Sequence, residues 1–457
     1  MKTTKFFFMA ALALMTAACS SNDDELIQQP VEQPANNMIT ITAKLAPKSS
    51  SAQTRAMNES GGNIVVDWAQ NEQLQIISAN GHTATANIDN VTSGTATISF
   101  SIDAAAVGQN CTIVYPASAA TTTGVKAYAD NAALTAQDGT LKYDIDVRVG
   151  AGTISASNPG TMTVTTQPEA QFSIFKFTIQ NISAVDKTAT EFKVSDGSGN
   201  VITTVTPGSA SGELYVALPV MVAGTYWFNA TIGSKPYIAK ATVGTATTAG
   251  NYYQSTVKMA TIGDVILSDG KFAARSSTGT KVAMIAYVGS DNGEDSPYNH
   301  GLALALSDAN GGTVCAWSTL STKVHTYNPT SSSFGSESGL QYNSTQNSNT
   351  YPAFKAAIAN NSTAAPTGCS SWFLASGYQW KKMIDACKKV LGTKNDYRDL
   401  RDGFNGISGA SNMQDSYYWS STESNSDNAW DCNFLNGSWD SDYKDYANPR
   451  VRACLAF

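Results

Sequence analysis

Histidine is nearly missing from this chain: three occur in 457 residues, at His82, His300 and His325, and no two are close in sequence. That leaves no imidazole set for a zinc centre, and the lack of any Cys-x-x-Cys pair removes the thiolate route. Charge is also thin. Only 14% of residues are charged, the net is -7, and no Lys/Arg cluster is present, which excludes nucleic acid as a partner. The apolar run Phe6 to Met15, behind Lys2 and Lys5, is too short to span a bilayer as a permanent helix. It reads as the core of an export signal covering residues 1–18.

What remains is 42% hydrophobic and rich in Thr, Ser, Ala, Asn and Gly, a mixture suited to β-rich extracellular proteins. The length accommodates about three domains of roughly 150 residues. Residues 19–37 form a polar tether with Pro30 and Pro34. From Met38 the pattern changes: Ile39, Ile41, Ala43 and Leu45 alternate with Thr40, Thr42 and Lys44, the period of a half-buried strand. Further strand-like runs are Ile64–Trp68, Gln73–Ile77, Thr95–Ile102, Thr112–Tyr115, Leu141–Val149 and Thr161–Thr165, followed by a second set between Gln171 and Met259. This spacing predicts a mainly β chain with two sandwiches, 38–165 and 166–260.

Beyond Ile262 lie six of the eight tryptophans, and helices enter. Ser376 and Gln379 have capping-box spacing; Trp380, Met383, Ile384, Cys387 and Leu391 line one face, and Gly392 sits at the C-cap. A shorter helix is expected from Pro352 to Asn360. Residues 261–457 therefore read as an α+β domain. Besides Cys19 there are six cysteines, and an exported compartment permits disulfides. Cys432 with Cys454 is the expected pair; the alternative is that these thiols act as small core hydrophobes. From Ser411 to Asn448 the chain is rich in Asn, Asp, Ser and Tyr, with Trp419, Trp430 and Trp439 among them, the composition of a binding surface.

Thr16-Ala17-Ala18-Cys19 resembles the lipobox of bacterial lipoproteins, which implies a lipid anchor on Cys19 and attachment to the outer membrane. Ser20 to Glu25 resembles a surface-export signal. With that lipobox, the strand Met38–Leu45, Thr54-Arg55-Ala56, Val66-Asp67-Trp68, Val114-Tyr115-Pro116, Gln171–Ile179, Tyr215–Pro219 and Gly250-Asn251-Tyr252-Tyr253 resemble, in their order, the fimbrillin (Mfa-like) pilins. That resemblance implies paired transthyretin-like sandwiches and other pilin subunits as partners. It also implies cleavage between Arg55 and Ala56, and exchange of the first strand, with Ile39, Ile41 and Leu45, for a partner's strand.

Gly263 to Gly270, His300 to Leu306, Trp372 to Gly377, Tyr418 to Glu423 and Val451-Arg452-Ala453 resemble the C-type lectin-like fold in the branch of formylglycine-generating enzymes. The calcium motifs of sugar-binding members are missing, although Glu423, Asp427 and Asp431 are carboxylates that a hard cation accepts. No thiol pair stands in an electropositive setting, so no catalysis, cofactor or metal is expected. Residues 424–448 resemble segments diversified by retroelements. The residues expected to face an unknown glycan or protein ligand are Asn425, Asp427, Asn428, Asp431, Asn433, Asn436, Ser438, Asp440, Asp442, Tyr443, Asp445 and Tyr446; the alternative is a solvated loop. Trp419 is expected as scaffold and Trp439 as exposed. The function implied is a surface fimbrial tip adhesin; the alternative is a non-polymerising surface lipoprotein that binds glycan or protein.

Overall fold

The alternating run at Met38–Leu45 forms a strand, with Ile41, Ala43 and Leu45 turned inward and Thr40, Thr42 and Lys44 exposed. The structure, a computed structural model, describes residues 38–48, 58–60, 63–155, 160–325 and 329–457. Cys19, Arg55 and Ala56, together with the expected signal and tether, lie outside these residues. The chain is mainly β, with 41% strand and 13% helix. Among the described residues no helix is long and apolar enough to cross a membrane.

The N-terminal strand closes a seven-stranded barrel. It pairs antiparallel with Thr95–Asp103 from Met38 to Leu45, and parallel with Gly160–Ala170 at Ile41 and Thr42. The sequence predicts a sandwich here, and pairing on both edges of this one strand closes its sheet. Leu74, Ile76, Ile88, Ile98, Phe100, Ile113 and Ile154 fill the interior. The strand Thr83–Thr92 is absent from the sequence reading because its inward residues are Ala84, Ala86 and Ile88, and alanine marks the apolar period weakly. The run Leu141–Val149 is not one strand. A 3-10 turn, Tyr143–Ile145, interrupts it so that Asp146 can turn inward to Lys48 and Arg148. The strand Gly160–Ala170 also runs past the expected boundary at 165.

The second unit is an eight-stranded sheet whose two halves meet through Tyr237–Thr261 and Ile238–Ala260 in strands Lys235–Val243 and Tyr252–Thr261. Phe177 of one half lies 5.3 Å from Phe192 and 5.5 Å from Phe228 of the other, so the halves enclose a common core as in a sandwich. Its last strand, Ala136–Gln137, comes from the first third of the chain. There Gln137 donates through Nε2 to the carbonyls of Leu134 and Ala217, and its Oε1 accepts from the amide of Ala217.

The third unit has a six-stranded sheet with Ala453–Ala456 between Gly301–Ala305 and Phe373–Leu374, and a three-stranded sheet, Tyr417–Glu423, Asn428–Asn433 and Trp439–Tyr443. The helix Gly377–Val390 carries both capping-box bonds, and Trp380, Met383 and Cys387 are buried beneath it. The short helix Pro352–Ala359 has its proline in the first turn. The cysteine pairing needs correction. All six cysteines among the described residues are free thiols. Cys432 belongs to the three-stranded sheet and Cys454 to the six-stranded one, each enclosed by core side chains, and burial pushes both thiols up. They pack as small hydrophobes.

Candidate ligand-binding face

The three-stranded sheet is anchored from below by indoles. Trp317, Trp380 and Trp419 are fully buried, and each spends its N–H on a main-chain carbonyl: Ser420, Trp419 and Cys315 respectively. An aromatic ring with one satisfied polar atom is a rigid, apolar support. Trp419 is therefore scaffold, as its sequence context implies. A buried ion pair fixes the rim. Lys444 meets Glu423 with both side chains out of solvent, and the ammonium also donates to Thr322 O at 2.8 Å and Ser426 O at 2.7 Å. The Glu423 carboxylate accepts from the amides of Val324 and His325 at 3.0 and 2.8 Å. Every charge in this knot is compensated, the condition under which ions persist inside a protein. Glu423 is thus occupied and does not join Asp427 and Asp431 around a cation. Among the described residues no group of three or more His, Cys, Asp or Glu is placed to hold a metal.

The expected ligand-facing residues divide into three groups. Asn425, Asp427, Asn436, Tyr443, Asp445 and Tyr446 are exposed, while Asn428, Ser438, Asp440 and Asp442 are half-buried. Asp431 and Asn433 are buried and correct the sequence reading: both lie on Asn428–Asn433, the central strand of this sheet, on the same face of the pleat as the buried Ala429. Asn433 turns back to serve the chain, its Oδ1 accepting from the Leu435 amide. Neither Asp431 oxygen meets a donor. Asp440 stands directly opposite across the strand pair and Asp442 two residues on, which puts all three on one face of the pleat. Burial, then the charges of Asp442 and Asp440, push Asp431 up to about 9, so it holds its proton at neutral pH.

Three contributors escape sequence reasoning. Phe334, from a Ser-rich loop with no periodicity, packs edge-on to Trp439 at 4.7 Å and Trp430 at 5.8 Å, with the Lys381 ammonium 5.1 Å above its ring. This contact leaves Trp439 half-buried where exposure was expected. Leu435, in the turn between Asn428–Asn433 and Trp439–Tyr443, is 60% exposed, and Tyr443, at the far end of that strand pair, is 66% exposed. Lys444 reads as one more polar residue in the sequence, yet it holds the rim together. Tyr443 and Tyr446 are exposed at the Asn428 end of the strand pair, next to the Lys444 ion pair, whereas Leu435 lies in the turn at the other end.

No protein-family model and no curated protein matches the chain. Several solved structures resemble it. A fimbrial protein from Bacteroides ovatus aligns over 92% of this chain and 99% of its own, with 14% identity and a TM-score of 0.33. The tip fimbrial protein Mfa3 from Porphyromonas gingivalis, with a C-terminal truncation, covers 48% of this chain and 95% of its own at 8% identity and TM-score 0.24. The shaft pilin spaA from Lactobacillus rhamnosus GG covers 49% and 97% at 12% identity and TM-score 0.22. With such identities and TM-scores, these likenesses establish neither a family nor an activity.

Proposed function

We propose that this chain is a cell-surface fimbrial subunit, anchored at Cys19 before assembly, that accepts a partner's strand in place of Met38–Leu45 and holds a ligand through its C-terminal face. The observation that carries this reading is the position of the N-terminal strand. It is the strand that closes the barrel, and Ile41 and Leu45 are fully buried, with Ile39 half-buried. Its departure uncovers apolar groups worth roughly 1.5–3 kcal/mol each and two unpaired sheet edges, which a strand of the same pattern re-covers. The strand Ala453–Ala456 lies between two neighbours and is fully buried, and in this reading it stays in its own sheet. A subunit that accepts without donating stops a filament, which is the tip position. The exposed Tyr443 and Tyr446 then face outward as the adhesive surface.

Mass spectrometry of the protein in sheared fibres tests the reading. An N-terminus at Ala56, with the segment before it gone, is expected. A protein that keeps residues 38–45 and never appears in the fibre fraction is the non-polymerising lipoprotein instead. On the ligand side, replacing Tyr443 and Tyr446 by alanine is expected to cut adhesion at least tenfold while fibre incorporation stays unchanged.

A further inference from the structure

Three residues past the last buried side chain of the N-terminal strand, Lys48 is enclosed in a cage. Its side chain is 1% exposed. The ammonium lies 3.5 Å from the centre of the Tyr115 ring and 4.1 Å from that of Trp68, and these two rings meet edge to face at 5.2 Å. Asp146 approaches to 3.4 Å and Glu72 to 3.8 Å. Burial outweighs both carboxylates and draws Lys48 down to about 8. Arg148 also bonds Asp146, whereas Lys48 is the cation shown against Glu72 and the two rings among the described residues. A cavity of about 510 Å³ adjoins the cage, lined in part by Pro47, Lys48, Trp68 and Asp146.

The walls and the occupant come from opposite sides of Arg55. Trp68, Glu72, Tyr115 and Asp146 follow it, whereas Lys48 precedes it and leaves with the strand. The neighbouring backbone bonds do not discriminate, because Ala46 accepts from Trp68 Nε1 and donates to Gln167 Oε1 through groups that every residue except proline carries. The cage does discriminate. Desolvation makes the cage costly for the ammonium, yet Glu72 and Asp146 are already there: a lysine compensates them, an apolar side chain leaves Glu72 without its cation, and an acidic one adds repulsion.

We propose that this cage is the specificity pocket for the incoming strand. The partner is a strand with alternating inward apolar residues and a lysine three positions beyond the last of them. The proposal rests on the strand-exchange reading, and the test separates the two. The full chain, cut after Arg55 with an arginine-specific protease, is offered labelled peptides of the sequence from Met38 to Lys48: unchanged, or carrying Lys48→Met or Lys48→Glu. Uptake of the unchanged peptide is expected to exceed that of the Met peptide at least tenfold, with the Glu peptide excluded. In the acceptor, Glu72→Gln with Asp146→Asn is expected to bring the Lys and Met peptides within twofold of each other. Equal uptake of all three peptides by the unmodified acceptor overturns the cage proposal and leaves strand exchange standing. Uptake of none, the unchanged peptide included, overturns both.

Discussion

A single carboxyl group illustrates how far residue type alone can mislead. Asp431 lies in a polar stretch that reads as solvent-facing, yet it is buried with Asp440 opposite and Asp442 beside it. Unfolded, it ionises near pH 3.9; folded, it keeps its proton up to about 9. Between those values the folded state holds more protons, so its contribution is fully present at low pH and falls as pH rises through the window. Asp431→Asn keeps a neutral side chain that can donate to Asp442 and removes that slope. Urea unfolding at pH 5 and pH 8 is expected to show the variant gaining on the wild type by on the order of 1 kcal/mol per pH unit. An unchanged difference between the two pH values would contradict the burial of this group. The same scale governs the thiols: sequence supplies two cysteines flanking a polar region, and only the fold shows both as free thiols enclosed in the core.

The helix Gly377–Val390 was readable as an element because its signals are local. Ser376 and Gln379 are three residues apart, and the apolar face repeats at helical spacing. Its tertiary work was not readable. Gln379 also donates to Glu294 Oε1 at 2.7 Å and Asn292 O at 3.1 Å, and its Oε1 accepts from the amides of Gly339 and Ser376. Ser376→Ala removes a cap and is expected to cost about 1 kcal/mol. Gln379→Ala leaves buried partners on two loops unsatisfied and is expected to cost roughly 2–4 kcal/mol. Chemical denaturation of both variants checks the order; a Ser376 effect larger than the Gln379 effect would refute the hub. The barrel strands show the converse. Met38–Leu45 was legible because large aliphatics mark its period, whereas Thr83–Thr92 was not, its inward positions being mostly alanine.

Across the whole molecule, the second and third units are joined by a continuous core. Trp227, in the strand Gly224–Ile232, stacks on His300 with ring centres 4.0 Å apart and lies near Phe457 at 6.4 Å. Ile238, Ala260 and Ile262 enter the same cluster as the third unit's strands. Burial draws His300 down to about 4, so the stack is uncharged in the physiological range. Trp227→Ala is expected to cost about 3–5 kcal/mol and to split one calorimetric transition into two as the units decouple. A single transition, merely shifted, would place the coupling elsewhere.

By itself the sequence determined what local periodicity and chemistry encode: a β-rich chain in three parts, the N-terminal alternating strand, the capped helix, and a polar segment carried on aromatic supports. Tertiary structure decided what depends on partners distant along the chain. It closed the first sheet into a barrel, enclosed Lys48 among rings and carboxylates, spent Glu423 on Lys444, and hid Asp431 from the surface. The reason is physical. A repeat of two or of about 3.6 residues is written within a few neighbours, whereas burial and charge pairing are set by whichever groups folding brings within a few ångströms.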